Sequence, residues 1–217
     1  NSGEYKVMGL APYGEPKYKD LIYKYLIDVK EDGSFKMDMS YFDYNVGLTM
    51  TNKKFNDLFG GSPREPESEL TQKEMDLARS VQEVTEEIIL KMANYVRKVT
   101  DKKYLCLAGG VALNCVANGK LLRSGIFDNI FIQPAAGDAG GALGCAYIAW
   151  YQHLNNKRTA DGKTDFMNGA YLGPEYSNDE IKRYLDENGY KYEKISDEKF
   201  SEKIADLVNK QNVIGWF

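Results

Sequence analysis

Two glycine-rich turns, each behind a short apolar run and ahead of a helical one, restrict this chain more than any other feature. The first reads Tyr104-Leu-Cys-Leu-Ala-Gly109-Gly110-Val-Ala-Leu-Asn114. The second reads Ile130-Phe-Ile-Gln-Pro134-Ala-Ala-Gly137-Asp138-Ala-Gly140-Gly141-Ala-Leu-Gly144. They lie about thirty residues apart, the length of a strand–helix–strand unit, which predicts parallel strands joined by a right-handed crossover. The expected fold class is α/β. Ligands of open α/β sheets sit beyond the carboxyl ends of such strands. A turn without side chains lets a ligand reach the backbone. The helix behind it offers free N–H groups and a positive dipole end, a combination that favours phosphate. The candidate contacts are Gly109, Gly110, Asn114, Gly137, Gly140 and Gly141. No Gly-Lys-Ser/Thr follows either turn and neither reads G-x-G-x-x-G, so neither a P-loop nor a dinucleotide fold is supported.

Several of these residues keep two readings. A Gly-Gly turn also serves close helix–sheet packing. Asp138 is either a helix N-cap or a metal ligand, because a carboxylate beside phosphate repels it unless a cation lies between them. Asn114 is either a structural residue of the first helical turn or a partner for a nucleoside. The single histidine, His153, reads as a partly exposed residue at a helix end, and no catalytic triad can be built around it. Cys106, Cys115 and Cys145 match no disulfide framework or zinc spacing and read as buried thiols in a reducing compartment.

The rest of the chain supplies a frame. Residues 4–10 read as a helix and Ala11-Pro12-Tyr13-Gly14 as a turn. Leu21, Ile22, Tyr25 and Leu26 predict a helix over 18–29, and alternation predicts a strand over 34–42. A short helix is expected at 55–59 and a loop at 60–66. Thr71 and Glu74 form a capping box that opens a long helix to about residue 100. Met75, Ala78, Val81, Thr85, Ile88, Met92, Tyr95 and Val99 mark its core face. The helix after the second turn should reach about His153. Ser177 and Glu180 form a second capping box, its helix closing near Asn188-Gly189, and Ser196 should cap a helix to about Gln211. This gives a first domain over 1–154, a linker over 155–168 and the start of a second α/β domain over 169–217. The chain opens without methionine and closes on Val213-Ile-Gly-Trp-Phe217, which reads as a buried strand, so both ends look cut.

A net charge of −4 leaves no basic field, which argues against duplex nucleic acid as a partner. No run is apolar enough to span a bilayer and no signal peptide is visible, so neither a membrane nor export is expected and cytoplasm is the default.

Residues 3–14, Ala108-Gly-Gly-Val-Ala-Leu-Asn-Cys115 and Gln133-Pro-Ala-Ala-Gly-Asp-Ala-Gly-Gly-Ala-Leu-Gly144 together resemble the O-carbamoyltransferases that make carbamoylated antibiotics and nodulation factors. Gly169-Ala-Tyr-Leu-Gly-Pro174 resembles that family's junction into its C-terminal domain, which handles carbamoyl phosphate. More distantly, the first three segments resemble the tRNA threonylcarbamoyl-transferase subunit. The resemblance implies an actin-like ATPase (ribonuclease H-like) fold. It also implies ATP held by Gly109, Gly110 and Asn114, and Asp138 as ligand to a divalent metal, iron or manganese, with magnesium accompanying ATP. Glu4, Lys6 and Gly14 become candidate substrate contacts. The implied reaction turns carbamoyl phosphate and ATP into carbamoyl-adenylate, and a small-molecule or saccharide hydroxyl then takes the carbamoyl group as AMP leaves. The family's H-x-x-x-H pair and its Phe-Gly-Pro-Arg block are not among these 217 residues, so the chain alone is expected to lack activity. A silent nucleotide-binding or scaffold module is the alternative from another functional class.

Overall fold

The computed structural model describes residues 3–215 and is mixed α/β. The chain divides into two compact units, Asn1–Thr159 and Ala160–Phe217.

The first unit opens with α1 (Glu4–Leu10), which runs into a 3-10 turn at Ala11–Tyr13 with Pro12 at its start. The helix expected over 18–29 is shorter than its periodicity suggests. A single turn, α2 (Lys19–Leu21), widens to a π turn at Ile22–Leu26, and the chain then straightens into β1 (Ile27–Val29). Ile27 and Val29 are β-branched and suit a strand. β1 pairs antiparallel with β2 (Phe35–Met37) through the Asp32-Gly33 turn, with Ile27 opposite Met37. Gly33 has φ 83, and a Cβ there would stand 2.5 Å from the Met92 backbone nitrogen, so only glycine brings this hairpin so close to the long helix. The strand expected over 34–42 also stops early, because the Asp38 carboxylate accepts the Ser40 N–H and starts a 3-10 turn at Met39–Tyr41. Asn52 caps α3 (Lys53–Leu58).

The capping box forms as read. Thr71 N–H donates to Glu74 at 2.9 Å, and α4 runs Gln72–Thr100. Beyond it come β3 (Tyr104–Leu107), α5 (Cys115–Arg123), β4 (Asn129–Ile132) and α6 (Asp138–Tyr147), the last extended by a π turn over Ile148–His153. β3 and β4 are parallel, in register from Tyr104 opposite Asn129 to Leu107 opposite Ile132.

Two apolar clusters hold this unit. Ile22, Leu26, Tyr41, Phe59, Val84 and Ile88 form one, and Ala93, Leu121 and Phe127 form the other, packed by Leu105, Leu107 and Ile130. The strand alternation that points Leu105 and Leu107 inward points Cys106 outward. Cys115 begins α5, and Cys145 lies on α6, a helix with no buried residue. All three thiols are exposed, against the expectation of burial.

The long helix also departs from its sequence pattern. Ala78 and Ile88 of the expected core stripe are buried, but Val81, Met92, Tyr95 and Val99 are exposed. Asp76, Ser80, Gln82 and Glu86 are buried instead. The polar side of α4 is enclosed by the 13–23 segment and α5, whereas its apolar side borders an open groove of about 1050 Å³ shared with Leu26, Phe35 and Phe55.

The second unit contains α7 (Asn178–Glu187), opened by the Ser177–Glu180 box, and α8 (Asp197–Asn209). Ser196 occupies the N-cap position of α8 but makes no side-chain cap bond, and the favourable first-turn charges of Asp197 and Glu198 remain. Val213, Ile214 and Gly215 form no strand; the rest of the strand expected over 213–217 lies outside the described residues.

Candidate functional site

Parallel pairing places both glycine turns side by side at the carboxyl ends of β3 and β4. Gln133 N–H donates to the Leu107 carbonyl at 3.1 Å, extending the ladder past the strands. Gly109 N–H then donates to the Ala136 carbonyl at 2.7 Å and ties one turn to the other. Beyond that tie each turn opens a helix: a 3-10 turn over Gly110–Leu113 leading to α5, and α6 itself. The N–H groups of Gly110, Val111, Asp138 and Ala139 have no partner among the described residues. Four free donors on one edge are the chemical content of the site, and they suit an anion.

The glycines separate by what a side chain would meet. Gly109 has φ 96 and ψ 160, a conformation that is essentially glycine-only. Gly110 and Gly141 have nothing within 4 Å of a Cβ position, so nothing internal requires glycine there. Gly137 has only the Leu113 side chain, 4.0 Å away. Gly140 is different: a Cβ would lie 2.0 Å from the Ala135 carbonyl oxygen, so close backbone packing explains it. Gly14 is explained in the same way, with the Met75 carbonyl oxygen 1.9 Å from its Cβ position.

Asp138 is not the N-cap of α6. Gly137 holds that position, and Asp138 follows as the first helical residue, exposed and without a hydrogen bond or ion pair among the described residues. One carboxylate does not make a metal centre, and no group of three or more His, Cys, Asp or Glu side chains gathers among the described residues. The donor set present does not fit a metal by itself.

Asn114 does cap α5. Its Oδ1 accepts the Ala117 N–H at 3.1 Å and a Gln82 Nε2 proton at 3.1 Å, while its Nδ2 donates to Gln82 Oε1 at 2.9 Å. Gln82 Nε2 also donates to Glu86 at 2.8 Å, and Lys120 pairs with the other Glu86 oxygen. Glu4 and Lys6 are exposed on α1, which meets the start of α5 where Met8 Sδ lies 3.9 Å from Cys115 Sγ.

A second polar cluster on α4 holds the Pro-Tyr-Gly turn. Asp76 accepts the Glu15 N–H and the Lys17 ammonium, each at 2.8 Å, and the Gln72 amide. The Glu15 N–H, then Lys17 and Gln72, hold its carboxyl down at about 2. Ser80 accepts the Tyr18 N–H at 3.0 Å. Farther along, Glu87 binds Lys19 and the Tyr23 hydroxyl. Burial pushes the Glu87 carboxyl up, but hydrogen bonds from Lys19 and Tyr23 outweigh it and the net shift is down. Burial, followed by the Glu87 bond, drives the Tyr23 hydroxyl above its ordinary value. Reading α4 for its apolar stripe misses these polar residues. The available signal was their own four-residue spacing: Asp76 with Ser80 and Gln82 with Glu86.

No described helix is long and apolar enough to cross a membrane. The family described as carbamoyltransferase N-terminus matches residues 1–147. An uncharacterized protein of Synechocystis sp., sll1178, is 58% identical over 219 residues, covering 100% of this chain and 35% of its own length. Nodulation protein NolNO of Sinorhizobium fredii is 35% identical, covering 98% of this chain and 29% of its own length. Nodulation protein NolO of Bradyrhizobium diazoefficiens is also 35% identical, at 98% and 36%. The chain thus spans about a third of the length of these curated relatives.

Proposed function

The chain belongs to the carbamoyltransferase family, and from that membership we propose that residues 1–147 form the nucleotide-holding part of an ATP-dependent O-carbamoyltransferase. The observation that carries this reading is the edge formed by the two tied glycine turns, with its four free N–H groups and the open space over Gly110 and Gly141. Those donors bind and orient phosphate oxygens, and they are fixed by the sheet before a ligand arrives, so no reorganisation is needed as charge shifts onto a departing phosphate. The adenylyl acceptor of the carbamoyl group is what ATP supplies when bound. Carbamoyl phosphate, water and ATP then account for carbamoyl-adenylate, phosphate and pyrophosphate, and an acceptor hydroxyl displaces AMP. No side chain at this edge needs to act as a nucleophile. Asp138 has the chemistry to add one oxygen ligand to a cation accompanying the phosphates. The actin-like ATPase fold is part of the same proposal, supported by parallel strands that each end in a glycine turn and a helix.

The test is Gly110→Val in the full-length protein. A Cβ at this position has no neighbour within 4 Å, so the unfolding midpoint should hold while ATP affinity by calorimetry falls about tenfold or more. Unchanged affinity would reject the assignment.

A further inference from the structure

The chain of side-chain hydrogen bonds running from Lys120 to Asn114 has a direction. Lys120 can only donate, and Glu86 as a carboxylate can only accept. Gln82 must therefore turn its Nε2 toward Glu86. Its Oε1 is left to accept from Asn114 Nδ2. Asn114 Oδ1 is then fixed toward the second Gln82 proton and the Ala117 N–H. Neither amide can flip without setting acceptor against acceptor in a nearly dry place, since Gln82 is 4% and Glu86 2% exposed. Both oxygens of the two amides are engaged. One Asn114 N–H remains, without a partner among the described residues, on a half-buried side chain at the mouth of the first turn.

We infer that Gln82 is a positioning residue for the nucleotide: held by Glu86, it orients the Asn114 amide so that a donor, never an acceptor, faces the ligand at the Gly109–Asn114 turn. This rests on the nucleotide-holding reading above and sharpens it. The group met by Asn114 is a hydrogen-bond acceptor of the nucleotide, a phosphate, ribose or ring acceptor atom. Gln82 touches no ligand itself. Its effect travels through one amide pair from a helix 32 residues earlier in the chain.

The experiment uses the full-length protein with ATP as the probe. Gln82→Met keeps the side chain's length and removes the amide, which leaves the Ala117 N–H as the sole remaining hold on the orientation of the Asn114 amide. ATP affinity should fall about tenfold, one hydrogen bond to an oriented donor, while KM for carbamoyl phosphate stays within about twofold. The exchange variant Gln82→Glu with Glu86→Gln still offers Asn114 Nδ2 an acceptor but sets a carboxylate oxygen against Asn114 Oδ1, where Nε2 donated before. ATP affinity should fall about tenfold here too, because the donor that orients Asn114 is gone. Asn114→Ala should weaken ATP binding in the wild-type background and add little in the Gln82→Met background. If Gln82→Met does not fold, the exchange variant alone decides: a tenfold loss supports the inference and binding near wild type overturns it. Equal ATP affinity in Gln82→Met and wild type also overturns it. Failure of the wild-type protein to bind ATP would instead sink the nucleotide-holding reading, which keeps the two outcomes apart.

Discussion

Asp76 carries an acid response that geometry explains. Its carboxyl titrates near 3.8 when unfolded and at about 2 when it holds the Glu15 N–H, Lys17 and Gln72. A depressed carboxyl contributes stability above its unfolded value and loses it as the pH falls toward the folded one. Urea midpoints of the full-length protein should therefore drop between about pH 4 and pH 2, and Asp76→Asn should flatten that limb. An unchanged acid limb in Asp76→Asn would remove the assignment. The glycines illustrate what one residue discloses before folding. Their clustering was legible as a turn, but not which of them close backbone packing requires. That distinction needed the Ala135 carbonyl beside Gly140 and the Met75 carbonyl beside Gly14, neither of which a linear pattern contains.

The capping boxes at Thr71 and Ser177 were legible because a cap is settled within four residues, and parallel pairing of β3 with β4 followed from the length of the unit that joins them. The role of α4 was not. Its buried polar side is satisfied by partners 59 to 62 residues away at Glu15, Lys17 and Tyr18, a distance that periodicity cannot see. Without those partners the same residues read as a solvated face. Ser80, fully buried, is where this matters most: it accepts the Tyr18 N–H and donates to the Asp76 carbonyl. Ser80→Ala leaves Tyr18 N–H without its acceptor and should cost about 1–3 kcal/mol of unfolding free energy. A loss below about 0.5 kcal/mol would mean that the 13–23 segment finds another seat on the helix.

The molecule as a whole is two bodies rather than one, and the chain between them is exposed and irregular at Lys157, Arg158 and Lys163. Trypsin should cut there before it cuts α4 or α7, giving two pieces near the Thr159–Ala160 boundary by mass spectrometry; first cuts inside either helix would contradict the division. The apolar side of α4 is core at Ala78 and Ile88 and borders a groove at Val81 and Met92, because what covers a helix is a property of everything around it and not of its own stripe. The bond from Gly109 to the Ala136 carbonyl has a kinetic consequence. Neither turn can swing away from the other without breaking it, so exchange of the Gly109 amide proton reports the opening of both.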